Sequence, residues 1–331
     1  MISRSHLIRA LNEIIGSLRD MSLKKSGKRI GILTSGGDSP GMNSAIRAVA
    51  RTCAHYDIKC TGIIRGYSGL IENDTKNLYT RSVRGIINRG GTFLYSARSE
   101  EFKTKSGRAK AFKNIKANEI DGLVVIGGDG SFTGGLKFSE EFNFPVIGIP
   151  GTIDNDLFGT SHTLGYDTAL NTATEAIDKI RDTAISHHRL FLVEVMGRDA
   201  GFIALNTGLA IGAQEILIPE VNMSSENLIN SLKRSKSAGK TSTIVVVAEG
   251  DKTGESVFQL ANMIEEKLPK YEVRVSVLGH MQRGGSPSCF DRVLGTQMGI
   301  SAVESLLNGE SRIMIGIQNG KINNEQIKNW N

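Results

Sequence analysis

Short apolar runs alternate with helix-length amphipathic segments along this chain, and the loops leaving three of those runs are rich in glycine. Arg29–Thr34 reads as a strand, followed by Ser35-Gly36-Gly37-Asp38-Ser39-Pro40-Gly41 and a helical pattern over 42–55. Ile58–Ile64 reads as the next strand. Asp121–Ile126 is another, followed by Gly127-Gly128-Asp129-Gly130-Ser131 and a helix to about Phe142, and Val146–Ile149 closes the series. Nearly unbroken apolar strands separated by helices need a sheet covered on both faces, which is the parallel, doubly wound arrangement. The rhythm resumes with a long helical pattern over about 168–185, then strand-like runs at Arg189–Val195, Glu215–Ile218, Thr243–Ala248 and Arg274–Leu278. A chain of 331 residues suits two such domains. The expected fold is therefore α/β: two doubly wound, Rossmann-like domains with parallel-rich sheets and an active-site cleft between them.

Charge and composition exclude several classes. No apolar run approaches the ~18–20 residues that span a bilayer, so no membrane role is expected. Cys53, Cys60 and Cys289 are odd in number and form no CxxC pair, which argues for a reducing compartment and against a structural zinc site. The net charge is +6, but residues 1–29 hold seven cations against two carboxylates, so the rest of the chain is nearly neutral. That leaves no general electrostatic case for a nucleic-acid partner. The basic leader, with Leu7, Leu11, Ile14, Ile15 and Leu18 at helical spacing, reads as a dispensable extension, Met21 offering a second start.

The glycine-rich loops carry the chemistry. Glycine lets a backbone approach a ligand closely, and the N–H groups of the following helix attract phosphate. One such loop is explained by a tight turn alone; three at one sheet edge, with carboxylates among their residues, are not. The third loop is Pro150-Gly151-Thr152-Ile153-Asp154-Asn155-Asp156, which sets two carboxylates at i and i+2 after a buried strand. A carboxylate there can take a proton from a hydroxyl or help hold a metal. Asp38 and Asp129 could each serve Mg²⁺, and Asp38 reads better as a helix cap. Cations cluster at the edges of later apolar runs: Arg189, Arg198, Arg274 and Arg283, with His280 among them. Such a set suits a phosphorylated substrate. Ala238-Gly239-Lys240-Thr241 mimics the end of a Walker loop, but the first glycine of that motif would fall on Arg234.

These motifs, together with Asn88-Arg89-Gly90-Gly91-Thr92, Ser96-Ala97-Arg98, Met196-Gly197-Arg198 and Gly279-His280-Met281-Gln282-Arg283-Gly284-Gly285, resemble the bacterial-type, ATP-dependent 6-phosphofructokinase family, in order from about Lys28 to about Asn319. The resemblance implies transfer of the γ-phosphoryl group of ATP to the 1-hydroxyl of fructose 6-phosphate, the committed step of glycolysis, by a cytoplasmic enzyme. It makes Asp154 the base, with Thr152, Arg198 and Asp156 as its catalytic neighbours. ATP would be held by Gly37, Arg98, Ser99, Gly128, Asp129, Gly130 and Ser131, and Mg²⁺ by Asp129. The sugar phosphate would meet Thr152, Ile153, Asp154, Arg189, Met196, Gly197, Arg198, Glu249, Arg274, His280, Met281, Gln282 and Arg283. The family's homotetramers share substrate sites between subunits, which implies that Arg189 and Arg274 serve a neighbour. The implied division is a basic extension at 1–27, an ATP-binding domain at 28–165 plus 282–310, and a sugar-phosphate domain at 166–281 plus 311–331.

Gly130 and Gly151 are small where pyrophosphate-using relatives carry Asp and Lys, which implies ATP as donor. The resemblance also implies an effector pocket for ADP or phosphoenolpyruvate at Arg47, Arg51, Arg181, Glu215 and Lys240. Asp74, Ala238 and Ser242 stand at other positions expected to be basic, so weakened effector control is expected. Only a short polar tail follows Asn319, and a final helix of the second domain is expected to be absent. The competing readings are a pyrophosphate-dependent phosphofructokinase, opposed by the two glycines, and a non-catalytic regulatory paralogue, opposed by the presence of Asp154, Asp129 and Arg198. A lipid or NAD kinase sharing only the Gly-Gly-Asp-Gly loop would leave Gly279–Gly285 unexplained.

Overall fold

The computed structural model describes residues 27–187, 189–221, 223–239, 242–250, 256–269 and 271–327. The basic leader up to residue 26 and Lys240 lie outside the described residues.

Two sheets organise the chain. The larger has seven strands: β1 (Arg29–Thr34), β2 (Lys59–Ile63), β3 (Thr75–Leu78), β4 (Gly122–Gly127), β5 (Val146–Pro150), β10 (Ile313–Gln318) and β11 (Lys321–Gln326). Their order across the sheet is β11-β10-β5-β4-β1-β2-β3, parallel except for the two edge pairs. The smaller has β6 (Leu190–Val195), β7 (Glu215–Leu217), β8 (Thr243–Ala248) and β9 (Val273–Val277), all parallel, in the order β7-β8-β6-β9.

Strand periodicity assigns side chains to the two faces of each sheet. Ile30 and Ile32 of β1, Val124 and Ile126 of β4, and Ile147 and Ile149 of β5 share one core. They are covered by α1 (Met42–His55) and α9 (Cys289–Leu307). Leu33, Leu123, Val125 and Val146 face the other way, against α3 (Lys105–Ala117) and α4 (Asp129–Phe142). Between β2 and β3 runs the short α2 (Gly66–Glu72). The smaller sheet packs α5 (Tyr166–His187) and α6 (Phe202–Ala210) on one face, and α7 (Ser225–Ser237) and α8 (Val257–Lys267) on the other. Burial on both faces is why these strands read as continuous apolar runs.

Two sequence expectations are corrected. The resemblance places 311–331 in the second domain, yet β10 and β11 complete the first sheet, with Ile313 and Met314 paired to Ile147 and Gly148 of β5. The physical reason is the open edge of β5, which the apolar run Ile313-Met314-Ile315-Gly316-Ile317 covers; all five of those residues are buried. The sequence suggests Asp38 as the cap of α1; the N-cap is instead Gly41, at φ 103°, with no side-chain cap.

Candidate active site

β5, β4 and β1 are neighbours in the sheet, so the three glycine-rich loops leave one edge side by side at the carboxyl ends of parallel strands, the usual place for a ligand in such a fold. Backbone bonds tie them together: Ser35 N–H donates to the Ile126 carbonyl at 2.9 Å, and Gly151 N–H to the Gly127 carbonyl at 3.0 Å. Ser96 Oγ donates to the Gly36 carbonyl at 2.6 Å, bringing the Ser96–Ser99 segment alongside. Arg98 is exposed there, and Ser99 Oγ accepts from Phe102 N–H.

Gly128 is the extended N-cap of α4, and Asp129 opens the helix. The amino end of this helix therefore faces the loop edge, where its free N–H groups favour an anion. Ser131 is buried, and Tyr67 Oη donates to its carbonyl at 2.6 Å while the Tyr67 ring stacks on Phe102 at 3.9 Å. A Cβ placed on Gly130 meets nothing within 4 Å, whereas one on Gly151 lies 2.9 Å from Ile126 Cγ2 and 3.0 Å from Met42 Cε. Only Gly130 thus borders open space. At Gly151 an added Cβ would press on two core side chains, so its smallness reflects local packing as well as the room left for a donor phosphate.

The loop after β5 presents its carboxylates in different settings. Asp154 is only 5% exposed, and its Oδ1 is buried without a hydrogen-bond partner. Burial pushes its carboxyl above the ordinary aspartate range; Asp156 and Glu249 add to this, while Arg283 and Thr152 oppose it. Asp156 opens towards solvent, and desolvation by the surrounding protein raises its carboxyl, with Asp129 and Asp199 adding and Arg198 opposing. Thr152 is buried, and its Oγ1 accepts from Asp154 N–H at 3.2 Å. Ile153 is wholly buried in the core under the smaller sheet.

The smaller sheet supplies the facing wall. Arg198, exposed and at φ 58°, follows Met196 and Gly197 at the carboxyl end of β6. Glu249 Oε1 accepts from Arg198 N–H at 2.7 Å and Gly197 N–H at 3.3 Å, so this carboxylate shapes the turn that carries the guanidinium. Gly279–Arg283 forms a 3-10 turn with His280 and Met281 exposed. Gln282 is fully buried: its Oε1 accepts from Met196 N–H and its Nε2 donates to the Gly279 carbonyl. Arg283 reaches across, with Nη2 3.9 Å from Asp154 Oδ1 and Nη1 donating to the Asp38 carbonyl at 3.3 Å. A Cβ on Gly37 would lie 2.8 Å from that same Nη1. Asp291, wholly buried on α9, accepts from Gly165 N–H and Thr168 N–H at 2.9 Å and so fastens the amino end of α5 to the larger sheet's helices.

Two expected arginines lie elsewhere in this chain. Arg189 and Arg274 share Glu272 Oε1 at the amino ends of β6 and β9. Six residues of β6 separate that end from Arg198, about 17–20 Å at the usual strand rise. The effector set is also divided. Arg47 and Arg51 line an open groove of about 340 Å³ between α1 and α9 with His55, Tyr56, Thr296 and Glu304. Arg181 donates instead to the Ile211 carbonyl, and Glu215 accepts from Ser231 Oγ, away from that groove.

Sequence reasoning passed over Tyr67, Asn155, Thr163, Glu272 and Asp291. All but Asn155 lie outside the glycine-rich motifs, and their roles come from hydrogen bonds and ion pairs that form only once the chain folds back on itself. The one local signal was Asn155 between two aspartates, a residue type that tolerates the left-handed φ of 53° found there.

Comparison with known proteins agrees with this geometry. The family model described as Phosphofructokinase matches residues 29–306. The chain is 55% identical over 300 residues to the ATP-dependent 6-phosphofructokinase of Bacillus velezensis, covering 91% of this chain and 92% of that protein. It is 53% identical over 301 residues to ATP-dependent 6-phosphofructokinase 1 of Thermus thermophilus, covering 91% and 93%. Among solved structures, phosphofructokinase from Saccharomyces cerevisiae superposes with a TM-score of 0.85 at 37% identity; 91% of this chain is covered, but only 45% of that one. A pyrophosphate-dependent phosphofructokinase from Marinobacter aquaeolei shares the fold, with a TM-score of 0.79 at 23% identity over 91% of this chain and 83% of that one.

Proposed function

The chain belongs to the phosphofructokinase family, and we infer that it is an ATP-dependent 6-phosphofructokinase. The reaction moves the γ-phosphoryl group of ATP to the 1-hydroxyl of fructose 6-phosphate, giving fructose 1,6-bisphosphate and ADP. The observation that carries the reading is the buried, unpartnered Oδ1 of Asp154 beside three phosphate-type loops and opposite Arg198 and Arg283. An oxygen so placed accepts the proton of an incoming hydroxyl as its oxygen attacks the γ-phosphorus and the bond to ADP breaks. Phosphoryl transfer asks the protein mainly for alignment and charge stabilisation. Thr152 aligns the acceptor, Arg198 meets the charge on the transferred group, and the amino end of α4 with Gly128, Gly130 and Ser131 takes the donor phosphates. Glu249 holds the Gly197–Arg198 turn. The open space beside Gly130 supports a nucleotide donor over pyrophosphate.

Mg²⁺ fits the residues present. Asp129 and Asp156 are close enough for one to raise the other's carboxyl, and both are hard oxygen donors of the kind that bind this ion together with substrate phosphates. Asp129 would hold the ion, directly or through water, with Asp156 nearby. When bound, it supplies neutralising charge to the donor phosphates.

Arg189 and Arg274 are proposed to complete the substrate site of a neighbouring subunit in a homotetramer. Their distance from Arg198 within one chain supports this, as does the exposed apolar stripe Phe202, Leu205 and Leu209 on α6. Effector binding at Arg47 and Arg51 by ADP or phosphoenolpyruvate is proposed to be weak, since Glu304 lines the same groove. No helix among the described residues is long and apolar enough to cross a membrane, and a cytoplasmic location is proposed. The domain division proposed from the pairing is 28–165 with 282–327, and 166–281.

The test is direct. Purified protein with Mg²⁺ and fructose 6-phosphate is offered ATP or pyrophosphate while fructose 1,6-bisphosphate is measured. Product from ATP and none from pyrophosphate is expected; no product from ATP overturns the assignment.

A further inference from the structure

Thr163 lies outside every glycine-rich motif, yet its donors turn to the Thr152–Asp156 loop. It is wholly buried. Its N–H donates to Asn155 Oδ1 at 2.8 Å. Its hydroxyl donates to the Thr152 carbonyl at 2.6 Å, with Asn155 Oδ1 a more distant acceptor at 3.2 Å. The next residue continues the brace: Leu164 N–H donates to the Pro150 carbonyl at 2.8 Å, and Leu164 bridges to Gly151. Thr163 thus grips the loop on both sides of Asp154.

The segment carrying Thr163 is itself anchored. Ile317 N–H donates to Thr160 Oγ1 at 3.1 Å, and Ser161 donates to the Ile317 carbonyl through both its N–H and its hydroxyl at 2.8 Å. Asn323 Nδ2 donates to the Gly159 carbonyl at 3.2 Å. A chain of hydrogen bonds therefore runs from the β10–β11 hairpin through 159–163 to the loop bearing Asp154. Asp154 Oδ1 has no hydrogen-bond partner and Arg283 stands 3.9 Å from it, so where that oxygen points depends on the loop backbone that Thr163 braces.

We propose that Thr163 is a positioning residue for phosphoryl transfer, holding the Thr152–Asp156 loop so that Asp154 meets the acceptor hydroxyl. This rests on Asp154 acting as the base. A loop free to shift by about an ångström loses on the order of 10²-fold in rate while ground-state binding of the nucleotide is spared.

The experiment compares Thr163→Val, which keeps the shape and removes the hydroxyl, with Thr163→Ser, which restores it. Steady-state kinetics are measured with both substrates, alongside thermal melting. Thr163→Val is expected to lower kcat by about tenfold or more with the KM for ATP within about twofold. Thr163→Ser is expected to recover kcat to within about threefold of the parent. A Thr163→Val enzyme whose kcat stays within about twofold of the parent overturns the proposal, however far its melting temperature falls. A Thr163→Ser enzyme as slow as Thr163→Val also overturns it, since the hydroxyl then does not matter. Absence of ATP-dependent product in the parent enzyme instead removes the functional reading itself and is seen before any variant is made.

Discussion

Arg283 Nη2 stands 3.9 Å from Asp154 Oδ1, within reach of the charge but too far for a hydrogen bond. The arginine comes from the turn after β9 and the aspartate from the loop after β5, so the pair joins the two walls of the site. It leaves the carboxylate oxygen free for a substrate proton while softening the cost of burying its charge.

That balance gives a pH prediction. Burial raises the Asp154 carboxyl above its ordinary pKa of about 3.9, with Asp156 and Glu249 adding and Arg283 and Thr152 opposing. A base must be ionised to act, so activity falls as pH drops through this raised pKa. The acid limb of kcat/KM should lie on the alkaline side of an ordinary aspartate. Arg283→Gln should move that limb further up, by removing the opposing charge. A limb that stays put in this variant would detach Asp154 from the acid limb.

The same burial costs stability. A carboxyl whose folded pKa is raised favours the folded state when protonated, and that stability is lost as pH rises through the folded value. Asp154→Asn removes the penalty at neutral pH. It should lower kcat by about 10²–10⁴-fold and raise unfolding free energy by about 0.5–2 kcal/mol. Calorimetry at pH 7 checks the second half; a less stable variant would mean that Arg283 outweighs desolvation.

Gly130 and Gly151 should separate under mutation. Gly130→Asp fills open space, so it should impair ATP use and leave the melting temperature nearly unchanged. Gly151→Ala drives a methyl to within 3.0 Å of Ile126 and Met42, and overpacking of this kind costs about 1–3 kcal/mol. Paired melting curves and ATP titrations distinguish the two; equal loss of stability in both would refute the assignment.

Arg189 and Arg274 bear on assembly. If they complete a neighbour's site, an Arg189→Ala chain and an Asp154→Asn chain are each nearly inactive alone but regain activity when mixed and reassembled, because some sites then hold both intact residues. Activity is measured before and after subunit exchange. No recovery, with mixed oligomers verified, would place Arg189 outside the shared site.

The central strands were legible in the sequence because parallel strands buried on both faces spell themselves as apolar runs, as at Val124–Ile126 and Ile147–Ile149. The hairpin β10–β11 was not, since β11 is polar and half exposed and only its pairing to β10 makes it a strand. The glycine-rich loops were legible because backbone geometry restricts residue type. Glu272 and Thr163 were not, because a carboxylate between two arginines or a threonine facing a loop takes its meaning from tertiary contacts that no local motif announces.

Close packing of α9 on α1 yields the last prediction. Alanine in place of a glycine inside a helix normally stabilises by about 1 kcal/mol. At Gly299 the added methyl would lie 2.6 Å from Ala48 Cβ and 2.8 Å from the Ala45 carbonyl oxygen. Backbone cannot yield as a flexible side chain does, so α9 must move outward from α1, and overpacking costs about 1–3 kcal/mol. The clash therefore matches or exceeds the gain in helix propensity, and Gly299→Ala should be neutral to destabilising where an exposed helical glycine would be stabilising. The groove holding Arg47 and Arg51 lies between these same helices, so the outward shift should widen it. Thermal melting checks the sign, and a melting temperature above the parent's would show that the two helices have room to spare.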